Sequence, residues 1–305
     1  MRAVVSGATG AVGMALISRL VSEGVETTVL CRENSARAYR IKASKLVKKI
    51  DCSLDGLAKL QLDGEYDVFF HLAWAGTTGA SRNDMYLQND NVKYTLDAVE
   101  LAARSGCKTF VGVGSQAEYG RVSGKLNSST PTFPENGYGM AKLAASQMSR
   151  VRCRELGLKH VWGRILSVYG PYDGERSLVS VAIDKLARGE RASFTAGEQM
   201  WDYLYSGDAA RALWAIAEKG RDGGVYCLGS GNAQPLYKYI EAIRDAVAPN
   251  ATLGLGDIPY AEGQVMYLCA DISELTADTG FVPSVSFEDG IKETVKWYYE
   301  ERERS

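Results

Sequence analysis

A doubly wound α/β fold, built on a parallel sheet with a smaller C-terminal α/β lobe, is predicted by three features of the sequence. Strand-like and helix-like segments alternate from residue 1 to about residue 170. A glycine-rich turn joins the first strand to the first helix, and the alternation loosens after Pro171. Parallel strands require crossover helices, so the alternation implies a sheet covered on both faces.

Taken in order, Ala3-Val4-Val5 is a short apolar strand that runs into glycines. Val12 to Ser22 has helical spacing through Leu16, Ile17 and Leu20 and stops at Gly24. Thr27 to Cys31 is rich in β-branched residues, and Asp67 to Leu72 reads as a buried strand. A helix is predicted over Val92–Ala103, ending at Gly106, then strands at Thr109–Val113 and Val161–Val168. Beyond Pro171 the spacing predicts a helix over Leu178–Arg188, a strand over Gly224–Leu228, and helices near Tyr237–Val247 and Phe287–Glu300. Residues 1–170, joined by 202–229, are assigned to the sheet domain, and 171–201 with 230–305 to the second lobe. The charged end, Glu301 to Ser305, is expected to fray.

Composition narrows the class. The chain is 46% hydrophobic and 24% charged with a net charge of -2, so no broad field draws nucleic acid or an anionic membrane. No apolar run approaches the ~20 residues of a membrane span, and glycines follow the N-terminal apolar run too soon for a signal peptide. Cys31, Cys52, Cys107, Cys153, Cys227 and Cys269 are scattered without a CxxC pair, which points to reduced thiols in a cytoplasmic protein. His71 and His160 lack ligand-like spacing, so neither a metal site nor a Ser-His-Asp triad is expected.

The turn reads Ser6-Gly7-Ala8-Thr9-Gly10-Ala11-Val12-Gly13. Glycines at 7, 10 and 13 let the backbone turn tightly and approach a pyrophosphate, while the following helix offers free N–H groups. This is a Rossmann-type dinucleotide turn with GxxGxxG spacing. An acid at the tip of the second strand would favour NAD(H). Here the strand ends Leu30-Cys31-Arg32, and Arg32, helped by Ser35 or Arg37, suits the 2′-phosphate of NADP(H). Glu33 lies next to it and could swing inward, so NAD(H) stays open.

Tyr138 and Lys142 lie four residues apart and share one helical face. A free tyrosine titrates near ~10, and a neighbouring ammonium favours the phenolate, which suits proton transfer near neutrality. Ser115 follows a strand and could hydrogen-bond a substrate oxygen.

Together these residues resemble the extended short-chain dehydrogenase/reductases, in the branch of NAD(P)-dependent sugar epimerases and dehydratases. His71-Leu72-Ala73-Trp74 is similar to the family's HLAA segment, and Asn91-Val92 with Thr95 to its NVxGT helix. Ser115 to Gly120 resembles SSxxVYG, Arg164 with Val168 to Pro171 resembles RxxNVYGP, and Trp201 to Tyr205 resembles RDFVYV. The resemblance implies Ser115, Tyr138 and Lys142 as catalytic residues. It implies a cofactor held by Gly7, Thr9, Gly10, Ala11, Val12, Gly13, Arg32, Asp51, Cys52, Leu72, Ala73, Trp74, Asn91 and Leu166, with Tyr138 and Lys142. Trp74, Gln116, Arg176 and Trp201 are the candidate substrate contacts. The helices Leu87–Ala103 and Tyr138–Leu156 match those that pair across a two-fold axis in the family, so a homodimer is expected.

Departures from the pattern refine the activity. Dehydratases and decarboxylases of the family carry an acid where this chain has Ala117, and 3,5-epimerising reductases carry a cysteine there. Glu118 is displaced by one position and should point the other way. The family's diphosphate-binding arginine is Trp201 here, and its second phosphate arginine has no match near Glu262-Gly263-Gln264. What the resemblance implies is reduction of a 4-keto-6-deoxy nucleotide sugar, closest to CDP-hexose 4-ketoreductases of the abequose-synthase type. The alternatives are 4-epimerisation with a retained cofactor, reduction of a smaller sugar or polyol, and a non-catalytic dinucleotide sensor.

Overall fold

The structure, a computed structural model, describes residues 1–303. Seven parallel strands form the central sheet: β1 (Arg2–Ser6), β2 (Glu26–Cys31), β3 (Val47–Asp51), β4 (Val68–His71), β5 (Thr109–Ser115), β6 (Lys159–Ile165) and, further along the chain, β11 (Gly224–Leu228). Their order is β11-β6-β5-β4-β1-β2-β3. The chain winds outward from β1 in one direction through β3, then returns to β4 and winds the other way. The carboxyl ends of β1 and β4 therefore flank a topological switch point, where such sheets bind ligands.

Helix α1 (Ala11–Ser22) and α5 (Ser206–Lys219) pack together on one face, and α2 (Met85–Arg104) and α3 (Gly137–Glu155) on the other. Leu16, Ile17 and Leu20 enter the first core with Val5, Val29, Phe70 and Leu213. Ala98, Val99, Leu101 and Ala102 enter the second with Phe69 and Phe110. The sheet is thus apolar on both faces, which is why its strands read as continuous apolar runs.

A separate core holds the second lobe, around α4 (Leu178–Ala187), α6 (Leu236–Val247) and α8 (Phe287–Glu303), with Ile183, Ile240, Tyr239 and Phe287 buried. Short strand pairs decorate it: β7 (Ser167–Tyr169) with β10 (Tyr203–Tyr205), β9 (Met200–Trp201) with β12 (Gln234–Pro235), and β8 (Ser193–Phe194) with β13 (Gly254–Leu255). A short helix, α7 (Ser273–Thr279), packs on α5.

Three expectations need correction. The strand predicted over Val161–Val168 breaks at Leu166, whose side chain turns into a small core with Tyr119, Cys227 and Leu268, and β7 leaves for the second lobe. Helix α2 starts at Met85, where the Asp84 carboxylate caps it by accepting the Leu87 N–H at 3.1 Å. Glu301 to Glu303 do not fray: α8 continues through them, and the Tyr39 hydroxyl donates to Glu301 at 2.6 Å. Arg304 and Ser305, the rest of that tail, lie outside the described residues. No described helix is long and apolar enough to cross a membrane.

Candidate active site

The glycine turn leaves β1 at the switch point. Gly7 has φ +76°, and a Cβ there would lie 2.4 Å from the Ala73 nitrogen, so the turn and the segment after β4 touch backbone to backbone. A Cβ on Gly13 would meet the Gly7 carbonyl at 2.5 Å. Gly10 differs: a Cβ there meets nothing within 4 Å, and Gly10 caps α1 without a side-chain bond. The first-turn N–H groups therefore border an open cradle, as a pyrophosphate requires.

A cleft of about 580 Å³ runs from this cradle, lined by Gly7, Thr9, Cys52, Leu72, Ala73 and Trp74. Arg32, Ser35 and Arg37 line it as well, beyond the end of β2. A neighbouring hollow shares Arg32 and adds Glu33 and Asp51, so cationic and acidic side chains meet at this end. Residues of the chain thus fit a dinucleotide: a backbone cradle, an apolar wall and a polar far end. Ala11 and Val12 lie in the first turn of α1, where Val12 packs on the core. Asn91 and Leu166 are not among the residues that line this cleft. The Asn91 amide is committed to Ala75, accepting its N–H at 2.8 Å and donating to its carbonyl at 3.0 Å, and so braces the segment after β4. Leu166 is buried in its own small core.

Ser115 ends β5, while Tyr138 and Lys142 project from the first turns of α3, whose N-terminus is capped by the Asn136 side chain accepting the Gly139 N–H at 2.9 Å. The structure brings the three together. The Ser115 hydroxyl lies within hydrogen-bonding reach of the Tyr138 phenol. Burial holds that phenol above its usual value, opposed by the Ser115 hydrogen bond and the Arg82 charge, with Glu118 acting to raise it further. The Lys142 ammonium is buried, donates to the Val113 carbonyl at 2.6 Å, and lies 3.8 Å from the Trp74 ring centroid. Burial lowers its pKa to about 7, against the opposing pull of Glu118.

Trp74 and Arg82 enclose Tyr138 from two sides. The Trp74 ring meets the phenol edge-on at 6.1 Å, and its indole N–H donates to Gln88 at 2.8 Å. The Arg82 guanidinium sits 4.3 Å from the Tyr138 ring centroid and donates to the Thr77 carbonyl at 3.1 Å. Arg82 escaped the sequence reading because it stands on a short 3₁₀ turn with no periodic pattern. The available signal was a cation between Gly79 and the α2 cap. That turn is held rigidly, since the Asn83 side chain accepts the Gly137 N–H at 3.0 Å and Gln88 donates to the Gly76 and Ser81 carbonyls.

Of the substrate candidates, Gln116 opens the turn after Ser115, and Arg176 is exposed in the loop before α4. Trp201 is half-buried, and its indole N–H donates to Ser167 at 2.9 Å, inside the protein. Ala117 is buried. Glu118 lies on a short 3₁₀ turn and not on a strand, and its carboxylate is fully buried, accepting from the Ser115 N–H, Trp162 and Arg164. His71 and His160 are internal. His71 bonds Ser6 at 2.8 Å and burial, aided by Lys142, depresses it to about 3, while His160 bonds Ser149 at 2.9 Å and burial depresses it to about 4. Among the described residues no group of three or more His, Cys, Asp or Glu side chains could hold a metal.

A doubly wound sheet with a glycine cradle at its switch point and a Ser-Tyr-Lys trio beside it defines an extended short-chain dehydrogenase/reductase. Residues 3–229 match the model of the NAD dependent epimerase/dehydratase family. The chain belongs to that family. A dTDP-glucose 4,6-dehydratase of Streptomyces niveus is 27% identical over 214 residues, 70% of this chain, which spans 63% of that relative's length. A probable dTDP-glucose 4,6-dehydratase of Sinorhizobium fredii is 27% identical over 333 residues, covering 98% of this chain and 93% of its own. Among solved structures, the UDP-glucose 4-epimerase of Thermotoga maritima with UDP-glucose superposes with a TM-score of 0.88 at 23% identity, covering 99% of this chain and all of the other. The dTDP-glucose 4,6-dehydratase of Bacillus anthracis in complex with NAD gives 0.85 at 20% identity, covering 99% and 98%. At such identities these structures show the shared fold.

Proposed function

We propose that this protein is an NADP(H)-dependent reductase of a 4-keto-6-deoxy nucleotide sugar. The observation that carries the reading is the meeting of the Ser115 hydroxyl, the Tyr138 phenol and the buried Lys142 ammonium beside a dinucleotide-sized cleft. The cofactor, when bound, supplies the hydride. Tyr138 donates its phenolic proton to the carbonyl oxygen, and the Ser115 hydroxyl hydrogen-bonds that oxygen and steadies its growing charge. Lys142 holds the ribose hydroxyls and favours the phenolate left after proton transfer. Arg32, with Ser35 and Arg37, takes the 2′-phosphate.

Elimination is disfavoured because Ala117 brings no acid to the site, and the displaced Glu118 faces inward. A second reading, 4-epimerisation on a retained NAD(H), draws support from Glu33 and Asp51 beside Arg32, since acids at this end suit the ribose 2′-hydroxyl. The same trio would then protonate and deprotonate one oxygen in turn. In either case we place the enzyme in the cytoplasm as a homodimer, joined through α2 and α3.

The deciding experiment incubates the protein with NADPH or NADH and a panel of nucleotide 4-keto sugars, nucleotide hexoses and small polyols. A reductase consumes one cofactor per product formed. An epimerase interconverts its substrates with no net consumption. Binding of the dinucleotide without turnover on any member would overturn both readings in favour of a sensor.

A further inference from the structure

The displaced acid has a second use that its burial makes visible. Glu118 is fully buried, and each carboxylate oxygen is engaged. Oε1 accepts the Ser115 N–H at 2.8 Å and the Trp162 indole N–H at 3.1 Å. Oε2 accepts from Arg164 Nε at 2.6 Å, and Arg164 is itself buried, with its guanidinium 4.5 Å from the Tyr119 ring centroid. The strand has made room for this arrangement. A Cβ on Gly114 would lie 2.1 Å from Glu118 Oε1, and one on Gly112 would lie 2.1 Å from the Trp162 ring. The same turn fastens Ser115 at both ends: its N–H is held by Glu118 while its hydroxyl accepts the Ala117 N–H at 3.2 Å.

We propose that Glu118, anchored by Arg164, is a positioning residue of the reaction: it aims the Ser115 hydroxyl at the reacting oxygen and sets a fixed negative charge behind the Tyr138–Lys142 pair. The proposal rests on the trio being the catalytic set. A bare structural ion pair needs no such placement, because an apolar pair of the same volume stabilises a core as well or better. The charges facing the pair are few. Arg82 approaches Tyr138 from the turn after β4, Lys142 from its own helix and Glu118 from beyond β5, while Lys142 is faced by Glu118, Tyr138, His71 and the Trp74 ring. Glu118 is the anion of this set. It acts on both members in the same sense, disfavouring the phenolate and favouring the ammonium. That sense suits an enzyme in which Tyr138 must arrive protonated.

The test reads Tyr138 directly and needs no knowledge of the substrate. The near-ultraviolet absorbance of the Tyr138 phenolate is isolated as the difference between protein with and without Tyr138→Phe, and is followed against pH in two backgrounds, native Glu118 and Glu118→Gln. The glutamine keeps the acceptor for Ser115 and removes the charge, so the phenolate should appear at a pH lower by about half a unit or more. Should the stranded Arg164 prevent folding, Glu118→Gln with Arg164→Met is read instead, and the shift should keep its direction at a smaller size, because the more distant cation leaves with the anion. Glu118→Asp keeps the charge but draws the carboxylate back from Ser115. It should leave the Tyr138 titration in place while slowing turnover of whichever substrate the panel identifies. An unmoved titration in the glutamine variant, or an equal movement in the aspartate variant, overturns the proposal. A failure to turn over any substrate would instead count against the enzyme reading and leave this titration standing.

Discussion

Lys142 is a buried cation, and that has a measurable cost in the ligand-free protein. Its pKa falls from 10.5 to about 7, chiefly through burial. The unfolded chain therefore holds this proton across a range of pH in which the folded protein has released it. Stability rises with pH wherever the unfolded state binds more protons, so Lys142 makes the folded state more stable as pH climbs from about 7 toward 10. Other buried groups also change protonation on unfolding between pH 7 and 8.5, and comparison with Lys142→Met cancels their part. His71 and His160, depressed to about 3 and about 4, are neutral in the folded protein, and the small protonated share they keep when unfolded near pH 7 is common to native protein and variant. Cys107, Cys153 and Cys227, raised by burial to about 12, about 12 and about 11, oppose it as unfolded thiols ionise toward ~8.5, and they do so equally in the native protein and the variant. Integrating the proton difference over that window gives on the order of 2 kcal/mol. We expect the unfolding free energy of the native protein, from denaturant titrations without cofactor, to gain that much relative to Lys142→Met between pH 7 and pH 8.5. The variant loses a hydrogen bond to the Val113 carbonyl, but that offset is the same at every pH. Parallel stability curves for the two proteins would refute the buried, shifted lysine.

Three other outcomes are expected. Tyr138→Phe should keep its fold and its cofactor affinity, because the ring retains its contacts with Trp74 and Arg82, yet lose roughly 10²-fold or more in turnover, the scale of a missing general acid; stopped-flow turnover with a cofactor titration checks both. Arg32→Asp should reverse a preference for NADPH over NADH, measured as the ratio of kcat/KM for the two, and an unchanged ratio would remove Arg32 from the 2′-phosphate site. Met148→Glu with Val151→Glu places charge on the exposed apolar face of α3, where Met148 is 48% and Val151 43% exposed, and should turn a dimer into a monomer by light scattering.

Much of the site was legible because it is encoded locally. The glycine spacing and the four-residue step from Tyr138 to Lys142 carry their geometry within a single turn or helix face. The trio assembles because β5 and α3 are neighbours in any sheet of this winding. What the sequence hid depends on tertiary partners. Val47–Asp51 was not read as a strand, since Lys48, Lys49 and Asp51 are exposed and only Val47 is buried at that sheet edge. The helical spacing starts only at Val92, and the helix taken for pairing only at Leu87, both short of Met85, because Gln88 and Asn91 read as surface residues, whereas both are buried to hold the loop after β4. Arg82 becomes meaningful only when the turn carrying it folds over Tyr138, and the direction of Glu118 only when Arg164 and Trp162 arrive from the next strand.

The departures from the family pattern fall on one side of the site. Toward the cofactor, Gly7, Gly10 and Gly13 match the pattern, as do Ser115, Tyr138 and Lys142. Toward the substrate, Ala117, Glu118 and Trp201 do not, and none of the three is a loose surface change. Ala117 is buried beside Ser115, Glu118 is locked to Arg164, and Trp201 is tied to Ser167 while it packs on the cores of both the second lobe and the Tyr119 cluster. The residue after Trp201 is equally committed: the Asp202 carboxylate accepts from the Ser230, Gly231 and Ala270 N–H groups at 2.7, 3.0 and 2.9 Å. An indole whose donor is spent inside the protein cannot replace a guanidinium on a diphosphate. The family pattern is therefore kept in the glycine turn and the Ser115, Tyr138 and Lys142 set, while the departures at Ala117, Glu118 and Trp201 are built into the core. Replacing Trp201 with arginine alone should not add a diphosphate contact at this position or tighten nucleotide-sugar binding, because Ser167 and the packed faces around the indole would also have to change.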